Sequence, residues 1–279
     1  MIRFRLLLVI SLFIGGWSSA QAEECPVLVL GAVPQEITFL VSHLESVSQG
    51  ALDGVPYWRG ELHGKPVVIA ITGVGKSFTS MTTTLFLKHF SPKVAVMTGT
   101  GARINPQLRT GDVIVPEALQ FHDFGSLSAE GMSFRDMKTP DGGTKIPNRF
   151  EPPQEMLSKA ARAIEEYPPQ QVSVPGTDTV SVPGAEYLNR VRVGVVTTSD
   201  LFGVTEQRIQ QLRETFNTDI MEMESAAFAL VCQRLDVPYL VVRAGSNQAQ
   251  ETPNDDYLVF GPVAAEQAAR FTYHLVNYL

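Results

Sequence analysis

Three short stretches of the chain carry residue types that could do chemistry. In Asp219-Ile220-Met221-Glu222-Met223-Glu224-Ser225-Ala226-Ala227 two carboxylates stand two residues apart, ahead of an apolar helical run. Desolvating a carboxylate without partners is costly. Such acids therefore either cap the helix N-terminus, where the dipole favours negative charge, or hold a ligand. Soon afterwards Val241-Val242-Arg243-Ala244-Gly245-Ser246-Asn247 carries an apolar strand into a polar turn. A third acid, Glu36, lies five residues after Gly31; by composition alone it reads as a first-turn acid on an exposed helix face. The segment Gly73-Val74-Gly75-Lys76-Ser77 nearly spells a P-loop, but Ala70 stands where the first glycine must be. No following apolar strand ends in a magnesium-binding Asp, so a glycine turn between strand and helix is the better reading. Five scattered histidines and two cysteines, Cys25 and Cys232, show no pairing at ligand spacing. No metal site and no cofactor are expected, and Cys232 reads as a buried thiol.

These residues need a scaffold. The 279 residues are 44% hydrophobic and 18% charged, an ordinary globular composition. Without a composition break or internal repeat, one domain over residues 23–279 is the expectation. Before it, Arg3 and Arg5 form a basic n-region, Leu6 to Trp17 an apolar h-region, and Ala20-Gln21-Ala22 a small-x-small cleavage pattern. This reads as a cleavable signal peptide over residues 1–22, giving an exported periplasmic or secreted protein. The apolar run is short for a membrane span, so no stable membrane association is expected after cleavage. Losing Arg3 and Arg5 moves the net charge from −7 to −9. So acidic a chain argues against a nucleic-acid partner, whose phosphates need Lys/Arg clusters.

Periodicity supplies the elements. Strands are expected at Pro26–Leu30, Val94–Thr98, Asp112–Pro116, Val191–Thr197 and Tyr239–Arg243, with a hairpin of Tyr57–Leu62 and Pro66–Thr72 around His63-Gly64-Lys65. Helices are expected after Pro34, over Ser77–His89, Gln154–Glu166 and Thr205–Phe216, from near Glu222, and over Pro262–Tyr278. Ser126–Asn148 and Pro168–Pro183 read as loop-rich excursions. Alternation of continuous apolar strands with helices predicts an α/β layered sandwich, with ligands gathering at the polar strand ends.

Five segments then match one family in order: GAVPQEITFL (Gly31–Leu40), ITGVGKS (Ile71–Ser77), MTGTGARINPQLRTGDVIVP (Met97–Pro116), TTSDLF (Thr197–Phe202) and MEMESAAFALVCQRLDVPYLVVRAGSNQA (Met221–Ala249). From Pro26 onward the chain resembles the purine/uridine phosphorylase superfamily, especially its methylthioadenosine/S-adenosylhomocysteine nucleosidase branch. The resemblance implies a three-layer αβα sandwich around a twisted mixed sheet, in homodimers or larger homo-oligomers, acting on a small-molecule purine nucleoside. It implies that Glu224 accepts the ribose 2′ and 3′ hydroxyls, that Met223 packs under the sugar, and that Glu36 activates the hydrolytic water. Thr100 and Gly101 would line the sugar end, with Gly101 and Ser246 also reaching the base and Phe202 stacking on it.

Charge bears on the nucleophile. Phosphorylase branches place arginines near the glycine turns after the first and middle strands, whereas Gly31-Ala32-Val33-Pro34 and Met97-Thr98-Gly99-Thr100 hold none. A phosphate dianion without cationic partners binds poorly, so hydrolysis of the N-glycosidic bond is favoured. Asn247 departs from the adenine-specific nucleosidases, which carry a general-acid Asp there. An amide cannot release a proton, but it can donate a hydrogen bond to N7 or O6 of a 6-oxopurine, as in branches that include futalosine hydrolases. Two alternatives stay open: a phosphate-dependent phosphorylase using Arg103 or Lys76, and a non-catalytic nucleoside-binding or storage protein.

Overall fold

A computed structural model describes residues 25–129, 131–176, 184–249 and 254–279. The signal peptide read over residues 1–22 lies outside the described residues, as does the end of the excursion at 177–183. In chain order the elements are β1 (Val27–Gly31), α1 (Pro34–Ser42), β2 (Glu45–Leu52), β3 (Val55–Leu62), β4 (Lys65–Ile71), α2 (Lys76–Phe90), β5 (Val94–Arg103) and β6 (Val113–Phe121). Four short strands follow, β7 (Gly125–Ser128), β8 (Gly131–Phe134), β9 (Met137–Lys138) and β10 (Lys145–Ile146), then α3 (Gln154–Glu166), β11 (Gln171–Val174) and β12 (Ala185–Leu188). The chain closes with β13 (Val191–Thr198), α4 (Glu206–Phe216), β14 (Ile220–Glu222), α5 (Ser225–Arg234), β15 (Tyr239–Gln248) and α6 (Asn254–Val276).

Nine strands form one mixed sheet in the order β14-β13-β6-β15-β5-β1-β4-β3-β2. Its centre is parallel, β1 pairing with β4 and β5, and β5 with β15. The period-2 alternation of a strand sorts the core into two slabs. Val27 and Val29 of β1 meet α1, α3 and α6 through Leu40, Ala160 and Phe271. Leu28 and Leu30 face the other way, onto α2 and α5 through Phe86 and Phe228. The three-layer αβα sandwich follows. α4 covers a smaller cluster of Ile104, Val204, Leu212 and Met221.

Several boundaries differ from expectation. β5 runs on to Arg103 and β15 to Gln248, so Thr100, Gly101, Ser246 and Asn247 are strand residues where a turn was expected. The helix expected from near Glu222 begins at Ser225, because Ile220–Glu222 pairs as β14 with both β13 and β5. β14 crosses β5 so closely that a Cβ on Gly101 would lie 2.4 Å from Ile220 Cγ2 and 2.7 Å from the Met221 carbonyl oxygen. Part of each loop-rich excursion is built as small hairpins, β7–β8 and β11–β12. Cys232 is fully buried and unpaired, as read, and burial pushes its thiol pKa up. No helix among the described residues is long and apolar enough to cross a membrane.

Candidate active site

The C-terminal ends of β5 and β15, the β14–α5 junction and the N-terminus of α1 converge on a cavity of about 170 Å³. Glu36, Thr100, Gly101, Phe202, Met223, Glu224, Ser246 and Asn247 all line it, so every candidate residue from the sequence meets there. Glu222 and Tyr257 join them.

Glu36 is 3% exposed, which removes the reading of a solvated first-turn acid. From the first turn of α1 its carboxylate reaches back to that helix's own start, where Oε2 accepts from the amides of Ala32 at 2.7 Å and Val33 at 3.4 Å. Its Oε1 accepts from the Thr100 amide at 2.9 Å and hydroxyl at 3.2 Å. Four donors therefore fix the group from two places, β5 and the turn that leads from β1 into α1. Gly99 makes the approach feasible: a Cβ there would lie 2.6 Å from Glu36 Oε1 and 2.3 Å from Arg243 Nη1.

The two carboxylates that stood out in the sequence divide their work. Glu222 caps α5, its Oε2 accepting from the amides of Glu224 at 3.0 Å and Ser225 at 2.8 Å and from the Ser225 hydroxyl at 2.9 Å. The Thr198 hydroxyl donates to its other oxygen. Glu224, at the N-cap position of α5, turns its side chain away from that helix. Its Oε1 accepts from the Gly75 amide at 2.9 Å, leaving lone pairs toward the cavity.

Sequence reading missed Arg243 as a site residue. It is fully buried, and its guanidinium lies 2.7 Å from Glu222 Oε2, 3.4 Å from Glu224 Oε2 and 3.8 Å from Glu36 Oε1. Burial opposes its charge, but Glu222, Glu224 and Glu36 together hold its pKa above the ordinary value. A lone cation ending an apolar strand, downstream of two acids, was the available signal: a buried charge must be paired. One guanidinium does not neutralise three carboxylates. Accordingly burial, with help from Glu222 and Glu36, overrides the Arg243 field and lifts the Glu224 pKa to about 8.

At the other end Phe202 is half-exposed, with its ring edge-on to Tyr257 at 5.9 Å. It is a rim residue rather than part of the core. Asn247 is buried; its Oδ1 accepts from the Ser246 hydroxyl at 2.9 Å and its Nδ2 donates to the Gln248 carbonyl at 2.9 Å. That arrangement orients the amide and, among the described residues, leaves one Nδ2 hydrogen uncommitted. Tyr257, from the first turn of α6, takes a hydrogen bond from Gln35 at 2.9 Å. It was unread because α6 starts eight residues earlier than its apolar stripe suggested.

The P-loop-like turn is occupied from within. The Gly75 amide goes to Glu224, and the Lys76 amide to Asp200 Oδ1 at 2.8 Å. Lys76 Nζ lies 2.6 Å from Asp123 and 3.5 Å from Asp200, so the lysine fastens this turn to the segment that carries Phe202. Arg103 turns away from the cavity, donating to the Leu108 carbonyl at 3.1 Å beside Arg109 and Tyr187. Neither cation lines the cavity.

The chain is similar to known proteins over nearly its whole described length. The 5′-methylthioadenosine/S-adenosylhomocysteine nucleosidase of Psychromonas ingrahamii is 26% identical over 252 residues, covering 90% of this chain and 98% of that protein. The nucleosidase of the same name from Neisseria meningitidis, solved with methylthio-immucillin-A, superposes with a TM-score of 0.74 at 26% identity, over 91% of this chain and all of that one. The futalosine hydrolase of Helicobacter pylori gives a TM-score of 0.73 at 25% identity, over 91% and 98%. The phosphorylase superfamily model matches residues 26–277, and by that match, with its sheet and converging carboxylates, the chain belongs to the phosphorylase superfamily.

Proposed function

We propose that the protein is a purine nucleosidase that hydrolyses the N-glycosidic bond, with 6-oxopurine nucleosides as preferred substrates. The observation that carries this reading is the charge of the cavity wall. Carboxylates of Glu36 and Glu224 line it, and no Lys, Arg or His does so among the described residues. The nearest guanidinium, Arg243, is committed to three carboxylates. Such a wall offers a phosphate dianion no cation but suits water and a cationic ribosyl transition state.

In this reading Glu36 accepts a proton from water as its oxygen attacks C1′. The C1′–N9 bond breaks with its electron pair passing to the purine, which later gains a proton from solvent. Glu224 accepts from the ribose 2′ and 3′ hydroxyls, Met223 packs under the sugar, and Thr100 and Gly101 close that end. Phe202 covers the base with Gly101 and Ser246 beside it, and the second Nδ2 hydrogen of Asn247 meets charge developing at N7 or O6. The test is turnover of inosine, guanosine, adenosine and methylthioadenosine with and without phosphate. Phosphate-independent cleavage, fastest on the 6-oxopurines, is expected; an absolute phosphate requirement overturns the nucleophile assignment. Binding of all four without cleavage would mark a storage protein instead.

Two further expectations attach to this site. Glu224 must be ionised to accept from both ribose hydroxyls, yet its pKa lies near 8 in the free protein. Nucleoside binding therefore expels a proton, and kcat/KM should rise about tenfold per pH unit below 8 and level off above it. The same shift bears on stability: between 4.5 and about 8 the folded protein holds a proton that the unfolded chain lacks, so this group's contribution to stability falls as pH rises through that window. A flat kcat/KM profile between pH 6 and 8 would mean that Glu224 is already ionised in the free protein across that range, overturning its raised pKa. Separately, Lys76→Met should release the Phe202 segment and raise KM for purine nucleosides about tenfold, roughly 1.4 kcal/mol, with kcat within about threefold. Lys76→Arg should restore KM; an unchanged KM in Lys76→Met refutes the clasp.

The leader over residues 1–22 supports export and a scavenging role on external nucleosides. Association of copies is supported by Val74, Phe78 and Met81, half-exposed at helical spacing beside the cavity mouth. Light scattering of Phe78→Glu beside the parent checks this, and an unchanged mass refutes that face.

A further inference from the structure

A second hollow, of about 860 Å³, lies between the β7–β8 hairpin and the start of α4. Leu201 and Gly203, which flank Phe202, line both this hollow and the active-site cavity. At Gly203 the shared wall is backbone alone, and its φ of 96° is one that residues with a Cβ adopt only under strain. The hollow presents neutral hydrogen-bonding groups from Ser128, Thr205, Gln207 and Gln211 beside the apolar Leu127 and Val204. Its charged neighbours among the described residues are hydrogen-bonded within the protein. Arg208 donates to the His122 carbonyl and to Gln211, Asp123 receives Lys76, and Gln210 donates to Glu214 at 2.7 Å. His122 supplies no cation, because burial and then Arg208 hold its pKa down at about 4. A neutral polar guest fits such a lining better than an anion.

We propose that this hollow receives an extension carried on the base, so that purine nucleosides with a neutral polar substituent on the base edge remote from the sugar are a substrate class of this protein. The proposal rests on the reading that Phe202 marks the base end. With Glu224 and Met223 on the sugar and Phe202 on the base, a substituent on the base edge beside Leu201 and Gly203 continues toward the shared wall. The purine alone leaves the hollow unfilled.

The test compares N6-(6-hydroxyhexyl)adenosine and N2-(6-hydroxyhexyl)guanosine with adenosine and guanosine. It uses the full chain and two variants that fill the hollow from opposite walls, Gln207→Trp and Ser128→Trp. At least one extended nucleoside should be cleaved with kcat/KM within about tenfold of its parent. Either tryptophan should depress that value about 30-fold while changing the parent's by less than about threefold. The inference is overturned if both extended nucleosides fall more than about tenfold below their parents, or if the tryptophans affect extended and parent substrates alike. Turnover of the parents tests the hydrolase reading, and only the ratio tests the hollow. Where parents bind without turnover, the same ratios are read from calorimetric dissociation constants.

Discussion

Glu36→Gln is expected to lower kcat about 10³-fold while nucleoside binding survives, the range set by loss of a positioned general base. The exchange keeps shape and removes the proton-accepting charge, so single-turnover rates should collapse while calorimetric affinity changes little. A cost in stability accompanies it. The carboxylate accepts on both oxygens, from Ala32 and Val33 on one side and Thr100 on the other. An amide NH₂ must face one of those N–H groups, leaving buried donors opposed, at a cost of about 1–3 kcal/mol. Thermal unfolding measures this second effect independently. A variant retaining more than about a tenth of the parent kcat would remove Glu36 as the base, since even a weak general base supplies about 10²-fold.

Arg243→Met should be the most destabilising single change at the site, by about 3–5 kcal/mol, the cost of removing one partner from a buried ionic cluster. Glu36, Glu222 and Glu224 would then share a dry pocket with no cation among them. The largest influence that draws the Glu224 pKa downward would also vanish, leaving only the Gly75 amide. The folded fraction that remains should therefore need a higher pH to bind nucleoside, displacing the kcat/KM profile above the parent's. Arg243→Lys should recover part of the stability, because an ammonium keeps the charge but lacks the fork that reaches several carboxylates. Denaturant titration near pH 7 checks the magnitude. A loss under about 1 kcal/mol would mean that the cluster does not depend on the guanidinium for its stability.

The parallel strands and most helices were legible because they are buried on a fixed period. Val27–Leu30, Val67–Ala70 and Val94–Met97 are continuous apolar runs, which only a sheet covered on both faces requires. β2 was missed because it is an edge strand, exposed along nearly its whole length, so no alternation distinguishes it from a loop. β14 escaped because it is three residues long and holds an acid that pairs with backbone amides. The ends of β5 and β15 read as turns for a related reason: residues facing a ligand cavity are polar or glycine, and hydrophobic pattern stops where chemistry begins. The eight candidate residues were found through the family resemblance. Arg243, Tyr257 and the donors that orient Glu36 depend on contacts between elements distant in sequence, which no local pattern encodes.

The double pairing of β14 has a kinetic meaning. Strands β14, β13, β6, β15 and β5 pair in turn, and β5 pairs back to β14. The circuit has no fraying end from which amides could exchange one strand at a time. Thr100, Glu222 and Asn247 all lie on it, whereas the sheet's free margin is β2, on the far side of β1, β4 and β3. Local opening is therefore directed to the β2–β3 hairpin. On heating, activity and global structure should disappear in one step, with no partly melted form that has lost its active site alone.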